Sequence, residues 1–141
     1  METAALPSRL ASIVEVFRSS PKQLRVEVLL DFSKRLPPLP DHLARSDLEA
    51  VPECQTPFFL ATELEDGKVR LYFDAPAESP TVRGYAGILS AGLDGASPEE
   101  ILAVSDDFYY GMGLEEVVSP LRLRGMGAIL ARLKRQVVEA G

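Results

Sequence analysis

The segment from Phe58 to Asp74 limits the fold of this chain more than any other, because its side chains repeat with a period of two. One alternating run covers 58–64, a second covers 69–74, and Glu65-Asp66-Gly67-Lys68 lies between them. Two such runs joined by an Asp-Gly pair predict a β-hairpin. A two-stranded hairpin is marginally stable alone, so this one must pack on helices or gain a third strand.

Helical periodicity dominates the rest of the chain. Apolar residues recur at i, i+3, i+4 and i+7, which is the pattern of an amphipathic helix with one buried face. The stripes run from Leu10 to Phe17, from Val82 to Leu93 and from Leu123 to Val137, and a further helix is predicted from Pro21 to about Leu36.

Serine-proline pairs mark four helix starts. A serine hydroxyl suits the N-cap, and a proline suits the first helical position because its missing N–H is not needed there. Gln23 and Glu100 stand where a capping box needs its second member for the first and third pair. The pairs are Ser20-Pro21, Ser79-Pro80, Ser97-Pro98 and Ser119-Pro120.

The predicted order of elements is helix, helix, loop, hairpin and then several helices. This order indicates an α+β fold, in which a small antiparallel sheet, made of the hairpin and a third strand, packs against several helices. The chain has 141 residues, a typical size for one domain, and shows no internal repeat, low-complexity tract or linker. We therefore expect a single domain over residues 1–141.

The counts of cysteine and histidine exclude several classes of site. Cys54 is the single cysteine and His42 the single histidine. An internal disulfide, a four-ligand zinc site of cysteines and histidines, and a cluster held by four thiolates are therefore excluded. A metal site built mainly from carboxylates stays open. Because neither a signal peptide nor a membrane-spanning run is visible, we expect a reducing, cytoplasmic location and no membrane partner.

The formal net charge of −6 is unevenly distributed. Residues 120–141 carry five basic side chains and one acidic side chain, whereas the rest of the chain carries ten basic and twenty acidic ones. The acidic excess disfavours a general nucleic-acid-binding role. The basic C-terminal segment suits an acidic protein partner or an anionic ligand.

Cys54 lies in a loop bracketed by Pro52 and Pro57, just before the first strand of the hairpin. Its polar neighbours indicate a partly exposed and reactive thiol, although the role of a small buried hydrophobic residue stays open. The adjacent Glu53 disfavours the thiolate, and a nearby arginine or helix N-terminus would favour it. A catalytic pair with His42 is a weaker interpretation than a solvated loop histidine, because several prolines separate the two residues.

The basic C-terminal helix contains Gly125-Met126-Gly127, where small residues allow another segment to approach closely. This triplet lacks the preceding strand and the full glycine fingerprint of a phosphate loop. Arg122 and Arg124 lie in the first turn of the same helix. There they are either solvated or able to meet an anion.

Several segments together resemble one known family. The loop Val51-Pro52-Glu53-Cys54-Gln55 resembles the V-P-G-C-Q loop of the SufE family, the sulfur-acceptor proteins of Fe–S cluster assembly. Further matches follow in the family's order, between about Leu36 and Lys134. They are Glu78-Ser79 with Val82-Arg83-Gly84, then Pro98-Glu99-Glu100-Ile101-Leu102, then Gly113-Leu114, and finally Ser119-Pro120-Leu121-Arg122-Leu123-Arg124-Gly125-Met126.

The chain departs from the family pattern at two relevant positions. Glu53 replaces the glycine before the cysteine, which argues against a need for positive φ there and adds a charge beside the thiol. Arg124 replaces an asparagine, so a hydrogen bond made by that amide is in doubt.

The resemblance implies a function and a site. Cys54 would take the outer sulfur of a persulfide formed by a SufS-type cysteine desulfurase, stimulate that enzyme, and deliver the sulfur to a SufBCD-type assembly scaffold. Pro52 and Gln55 would shape the loop, and Arg122 would support the thiol. The cofactor PLP belongs to the partner enzyme, so no cofactor or metal is expected in this chain. The implied fold is SufE-like and similar to that of IscU-type scaffolds, whose additional ligand cysteines are missing here.

Two other classes of function stay open. One is a binding module that activates the desulfurase allosterically and does not use Cys54. The other is a single-cysteine redox protein, which needs a thiol of low pKa. In each case we expect a monomer or a weak homodimer.

Overall fold

The computed structural model describes residues 6–54, 56–105 and 108–140, and within these ranges helices pack against a small sheet. The elements are α1 (Ser8–Ser19), α2 (Lys22–Lys34), β1 (Glu49–Ala50), β2 (Phe59–Glu65), β3 (Lys68–Asp74), α3 (Pro80–Leu93), α4 (Pro98–Leu102) and α5 (Pro120–Ala140). Short 3₁₀ turns cover Arg45–Asp47, Phe108–Met112 and Leu114–Glu116. The predicted α+β arrangement is confirmed.

The sheet is antiparallel and has the strand order β1-β2-β3. β1 pairs Glu49 with Leu60, so the short segment before the cysteine loop supplies the predicted third strand. The hairpin of β2 and β3 turns at Asp66 and Gly67, whose φ angles are 53° and 76°. A two-residue turn of type I′ needs positive φ at both positions, and the Asp-Gly pair tolerates it.

The helix α3 packs against α1, α2 and β3 and lies at the centre of the core. Gly84 and Gly87 allow α3 to meet α2 backbone to backbone, because a Cβ at either position would collide with a carbonyl oxygen of Leu29 or Phe32. The buried apolar side chains of the helices and the sheet form one cluster. On the other side of that cluster α5 packs along β2, which brings the C-terminal helix to the loop between β1 and β2.

Two of the four predicted serine caps form. At the start of α4 the Glu100 backbone N–H donates to Ser97 Oγ at 3.2 Å, and the Ser97 N–H donates to Glu100 Oε1 at 2.9 Å. This is the predicted capping box. At the start of α5 the Arg122 N–H donates to Ser119 Oγ at 3.3 Å.

The other two serine hydroxyls form no capping bond. Ser20 Oγ donates to the Val16 carbonyl at 2.6 Å and so closes α1, while Pro21 occupies the N-cap of α2 and no capping box with Gln23 forms. Ser79 occupies the N-cap of α3, but its hydroxyl makes no capping bond. A serine between two helices has a choice of partners, and the carbonyls at the end of the preceding helix compete for its hydroxyl.

None of the helices in the described ranges combines the length and the apolar composition needed to cross a membrane.

Candidate functional site

Cys54 lies in the loop that connects β1 to β2. The buried residues Val51 and Phe58 close the two ends of this loop, where the Val51 N–H donates to the Phe58 carbonyl at 2.9 Å. The Cys54 N–H then donates to the Val51 carbonyl at 3.1 Å, which makes a tight turn. Pro52 lies inside this turn with its ring exposed. These two backbone hydrogen bonds close the loop at its ends and fix the turn that carries Cys54.

The thiol of Cys54 lies against the first half of α5. Its Sγ is 3.9 Å from the carbonyl oxygen of Gly125, a weak contact in which the thiol donates. A Cβ built on Gly125 would lie 3.4 Å from that sulfur and 3.6 Å from the Cys54 Cα. The missing side chain of Gly125 therefore makes room for the loop on the helix, and it leaves the cysteine half-buried.

Five side chains join the loop and β1 to the second half of α5, and we call this group the clamp. Arg132 donates three hydrogen bonds to the Glu53 carboxylate: Nη2 donates to Oε2 at 2.9 Å and to Oε1 at 3.0 Å, and Nε donates to Oε1 at 3.2 Å. The Nη1 of Arg132 also donates to Glu49 Oε2 at 2.7 Å. Arg135 forms an ion pair with Glu49, and Gln136 Nε2 donates to Glu49 Oε1 at 2.9 Å.

The clamp keeps its two carboxylates ionised. Hydrogen bonds from Arg132 lower the pKa of Glu53. Burial alone would raise the pKa of Glu49, but hydrogen bonds from Gln136, Arg132 and Arg135 outweigh it, so the pKa of Glu49 is lowered as well. A planar guanidinium group matches the shape of an ionised carboxylate, so these bonds also fix the orientation of the two side chains.

The environment of Cys54 favours the protonated thiol. Burial is the largest cause, the negative charge of Glu53 adds to it, and Arg132 opposes it, so that the pKa of Cys54 is raised to about 11. The thiolate is the nucleophilic form of cysteine. At neutral pH the cysteine of the isolated protein is therefore held in its unreactive state.

The other predicted site residues lie in different surroundings. Arg122 is exposed in the first turn of α5, and its guanidinium makes no hydrogen bond or ion pair with any residue that the structure describes. Its supporting role stays a prediction, as does the loop-shaping role of Pro52. Gln55 lies outside the described residues.

The structure brings three residues to Cys54 that sequence reasoning did not select. They are Arg132, which bonds to Glu53 beside the thiol, and Glu49 and Gln136, which belong to the same clamp. One signal for Arg132 was available, since it follows Gly125 by seven positions and two helical turns place both residues on one face of α5. The partner of that face could not be read from the spacing.

The single histidine is engaged elsewhere. His42 Nε2 lies 3.0 Å from the Glu63 carboxylate, and its ring meets Tyr72 edge-on at 5.9 Å between centroids. These partners belong to β2 and β3, whereas the hydrogen-bonding contact of Cys54 is with α5. Within the described ranges, moreover, His, Cys, Asp and Glu side chains form no group of three or more that could hold a metal ion.

The chain is similar to known proteins over almost its whole length. Residues 11–137 match the family model described as "SufE: Fe-S metabolism associated domain". A SufE-like protein of Mycobacterium tuberculosis is 53% identical over 138 residues, which cover 97% of this chain and 96% of the relative. A protein of Plasmodium vivax named "Cysteine desulfuration protein SufE" is 27% identical over 139 residues, covering 95% of this chain and 54% of the relative.

A solved structure has the same fold. The solution structure of a hypothetical protein from Thermus thermophilus superimposes with a TM-score of 0.87 at 51% sequence identity. The match covers 96% of this chain and 97% of that chain.

Proposed function

The chain belongs to the SufE family, and from this membership we propose that it accepts sulfur on Cys54 from a SufS-type cysteine desulfurase. The observation that carries this proposal is the position of the single cysteine. Cys54 is the only thiol of the chain, and it lies half-buried in the loop between β1 and β2, against Gly125 of α5. The family's role in Fe–S metabolism gives such a thiol a chemical task.

The proposed step is a thiol exchange at sulfur. Cys54 loses its proton to solvent or to a base of the partner, and the thiolate attacks the outer sulfur of a persulfide on the desulfurase. A new S–S bond forms on Cys54, the S–S bond of the donor breaks, and the donor cysteine leaves as a thiolate that takes up a proton. One sulfur atom moves from chain to chain, and no external oxidant or reductant is consumed.

Because the pKa of Cys54 is raised, the thiol must be activated before this step. Because the thiol is protonated in the isolated protein, docking to the desulfurase must expose it or supply a positive charge before it attacks. The same property protects the thiol from indiscriminate oxidation between partners. It also disfavours the single-cysteine redox protein, for which a low pKa is needed.

The later steps of the proposal follow from the product. A persulfide on Cys54 meets no second thiol in its own chain, so it persists until an acceptor reaches it. We propose that this acceptor is a SufBCD-type scaffold and that removal of the persulfide stimulates the desulfurase. A reducing cytoplasm is the location that suits such a carrier.

The test is the intact mass of the protein after incubation with a SufS-type desulfurase, PLP and cysteine. We expect the native chain to gain the mass of one sulfur atom, to lose it on treatment with a thiol reductant, and to show no gain as Cys54→Ser. Serine differs from cysteine by one atom, so the variant should fold and dock. An unmodified native chain, or a Cys54→Ser variant that stimulates the desulfurase as fully as native protein, would instead identify an allosteric binding module.

A further inference from the structure

Two opposite charges face Cys54 from two different elements. Glu53 directly precedes Cys54 in the loop, and Arg132 reaches Glu53 from α5. The negative charge opposes the thiolate and the positive charge favours it. The remaining charged members of the clamp, Glu49 and Arg135, pair with each other, and Glu49 pairs with Arg132 as well. Arg122 and Arg124, in the first turn of α5, are exposed.

The two groups that face the thiol also neutralise each other. Arg132 donates three hydrogen bonds to the Glu53 carboxylate and a fourth to Glu49. A guanidinium that is paired with a carboxylate offers a weaker field to a neighbouring sulfur than a free one, because the two charges cancel at a distance. Arg132 is bonded to the residue directly before Cys54, so its charge can act on the thiol, but in the isolated protein that charge is paired with carboxylates.

We propose that Arg132 is the positioning residue that stabilises the charged form of Cys54, and that Glu53 masks it. The inference rests on the proposed function, because it assigns to Arg132 the task of favouring the thiolate that accepts sulfur. It concerns the intrinsic reactivity of the thiol, however, and this is a property of the isolated chain.

A purely mechanical clamp makes a different prediction. If Arg132 and Glu53 only hold the loop on α5, removal of either residue releases the loop and makes the thiol more accessible. If their charges act on Cys54, the two removals have opposite effects. Without Glu53 the carboxylate beside the thiol is gone and the guanidinium keeps only its bond to Glu49, so the thiolate is favoured. Without Arg132 the Glu53 carboxylate is left uncompensated beside the thiol.

The experiment measures the rate of alkylation of Cys54 by iodoacetamide in the isolated protein at about pH 8. One unit charge at this range changes the acid dissociation constant about three- to tenfold. Since a more acidic thiolate is also less nucleophilic, the rate should change about two- to fivefold. We expect Glu53→Gln to raise the rate by this factor and Arg132→Gln to lower it.

Two further variants separate charge from structure. Arg135→Gln removes a cation from the same helix and one ion pair from Glu49, and it should leave the rate unchanged. Arg132→Lys keeps the positive charge and can still pair with Glu53 through a single ammonium contact, so it should react at nearly the native rate. If Arg132→Gln fails to fold, as judged by circular dichroism, the comparison of Glu53→Gln with Arg132→Lys decides between the two accounts.

The outcomes are distinct from those of the sulfur-transfer test, because neither a desulfurase nor a persulfide is present. A faster rate in Arg132→Gln or Arg132→Lys would overturn the proposal in favour of a mechanical clamp. An unchanged rate in Glu53→Gln would overturn it too. The sulfur-acceptor function could stand or fall independently, since it depends on the mass gained by native Cys54.

Discussion

Two loops join the three strands of the sheet, and they are held in opposite ways. The loop between β2 and β3 consists of Asp66 and Gly67, and both residues adopt the left-handed conformation with open space around the glycine. The loop that carries Cys54 is several residues longer and has its thiol against Gly125 on α5. The first loop is made by its own residues, and the second depends on a helix at the far end of the chain.

This difference between the two loops explains why a docking protein could change the reactivity of Cys54 but could not alter the hairpin turn in the same way. A turn that depends only on its own dihedral angles has no partner whose movement could alter it. A loop held by Glu49, Glu53 and Arg132 has a set of ionic contacts that a docking protein can compete for. Surface and half-buried ion pairs are individually weak, so such contacts can be exchanged without unfolding the protein.

The largest change in the reactivity of Cys54 is expected from Gly125→Leu. The leucine side chain would occupy the space of Cys54 Sγ and lift the loop from α5. Overpacking should lower the free energy of unfolding by about 1–3 kcal/mol, and the better helix propensity of leucine should offset about 0.8 kcal/mol of that loss. Because the exposed thiol regains a more ordinary pKa, its alkylation rate at about pH 8 should rise about tenfold.

The matched control for this variant is Arg124→Leu, which adds a leucine at the exposed neighbouring position of α5. It should leave the alkylation rate within about twofold of native, since single surface substitutions have small effects. A slow, native-like rate in Gly125→Leu would show that contact with α5 does not hold the thiol in its protected state.

The hairpin turn should respond in stability alone. Gly67 has a φ of 76° and an alanine Cβ there would meet no atom within 4 Å, so the cost of Gly67→Ala is conformational. We expect the free energy of unfolding in urea to fall by about 1–2 kcal/mol. The alkylation rate of Cys54 should not change. A change in that rate would mean that the two loops are coupled through β2.

Acid should weaken the pairing that holds the cysteine loop on α5. Glu53 has a lowered pKa in the folded protein, so its pairing stabilises the fold fully above the unfolded value of about 4.3. That contribution is lost as pH falls through the lower, folded value. The difference in free energy of unfolding between native protein and Glu53→Gln should therefore be constant at about pH 6 to 7 and shrink below about pH 4. A difference that persists unchanged in acid would contradict this assignment.

The smallest effect is expected from His42→Ala. Its contact with Glu63 is exposed, with 57% of the histidine side chain accessible, so its loss should change the free energy of unfolding by less than about 0.5 kcal/mol. The alkylation rate and the persulfide yield of Cys54 should both be native. A loss of persulfide formation would support the hypothesis of a catalytic Cys–His pair, which the contacts of His42 disfavour.

The accuracy of the predictions follows the range of the interactions involved. The Asp66-Gly67 turn and the capping box of Ser97 were predicted correctly, because each depends on residues within three positions of one another. The cap at Ser20 was wrong because its hydroxyl donates instead to the Val16 carbonyl at the end of α1. The pairing of Glu53 with Arg132 was not predicted at all, since 79 positions separate them.

For the site, the sequence alone determined which chemistry is available. One cysteine between two prolines excluded disulfides and protein-held clusters, and the surrounding segments indicated the SufE family. Only the tertiary structure decided the state of that cysteine. The packing of α5 on β2 places Gly125 under the thiol and Arg132 beside Glu53, and burial with the adjacent carboxylate outweighs the arginine. Desolvation and charge act through space, so their balance at Cys54 depends on distances that the order of residues does not contain.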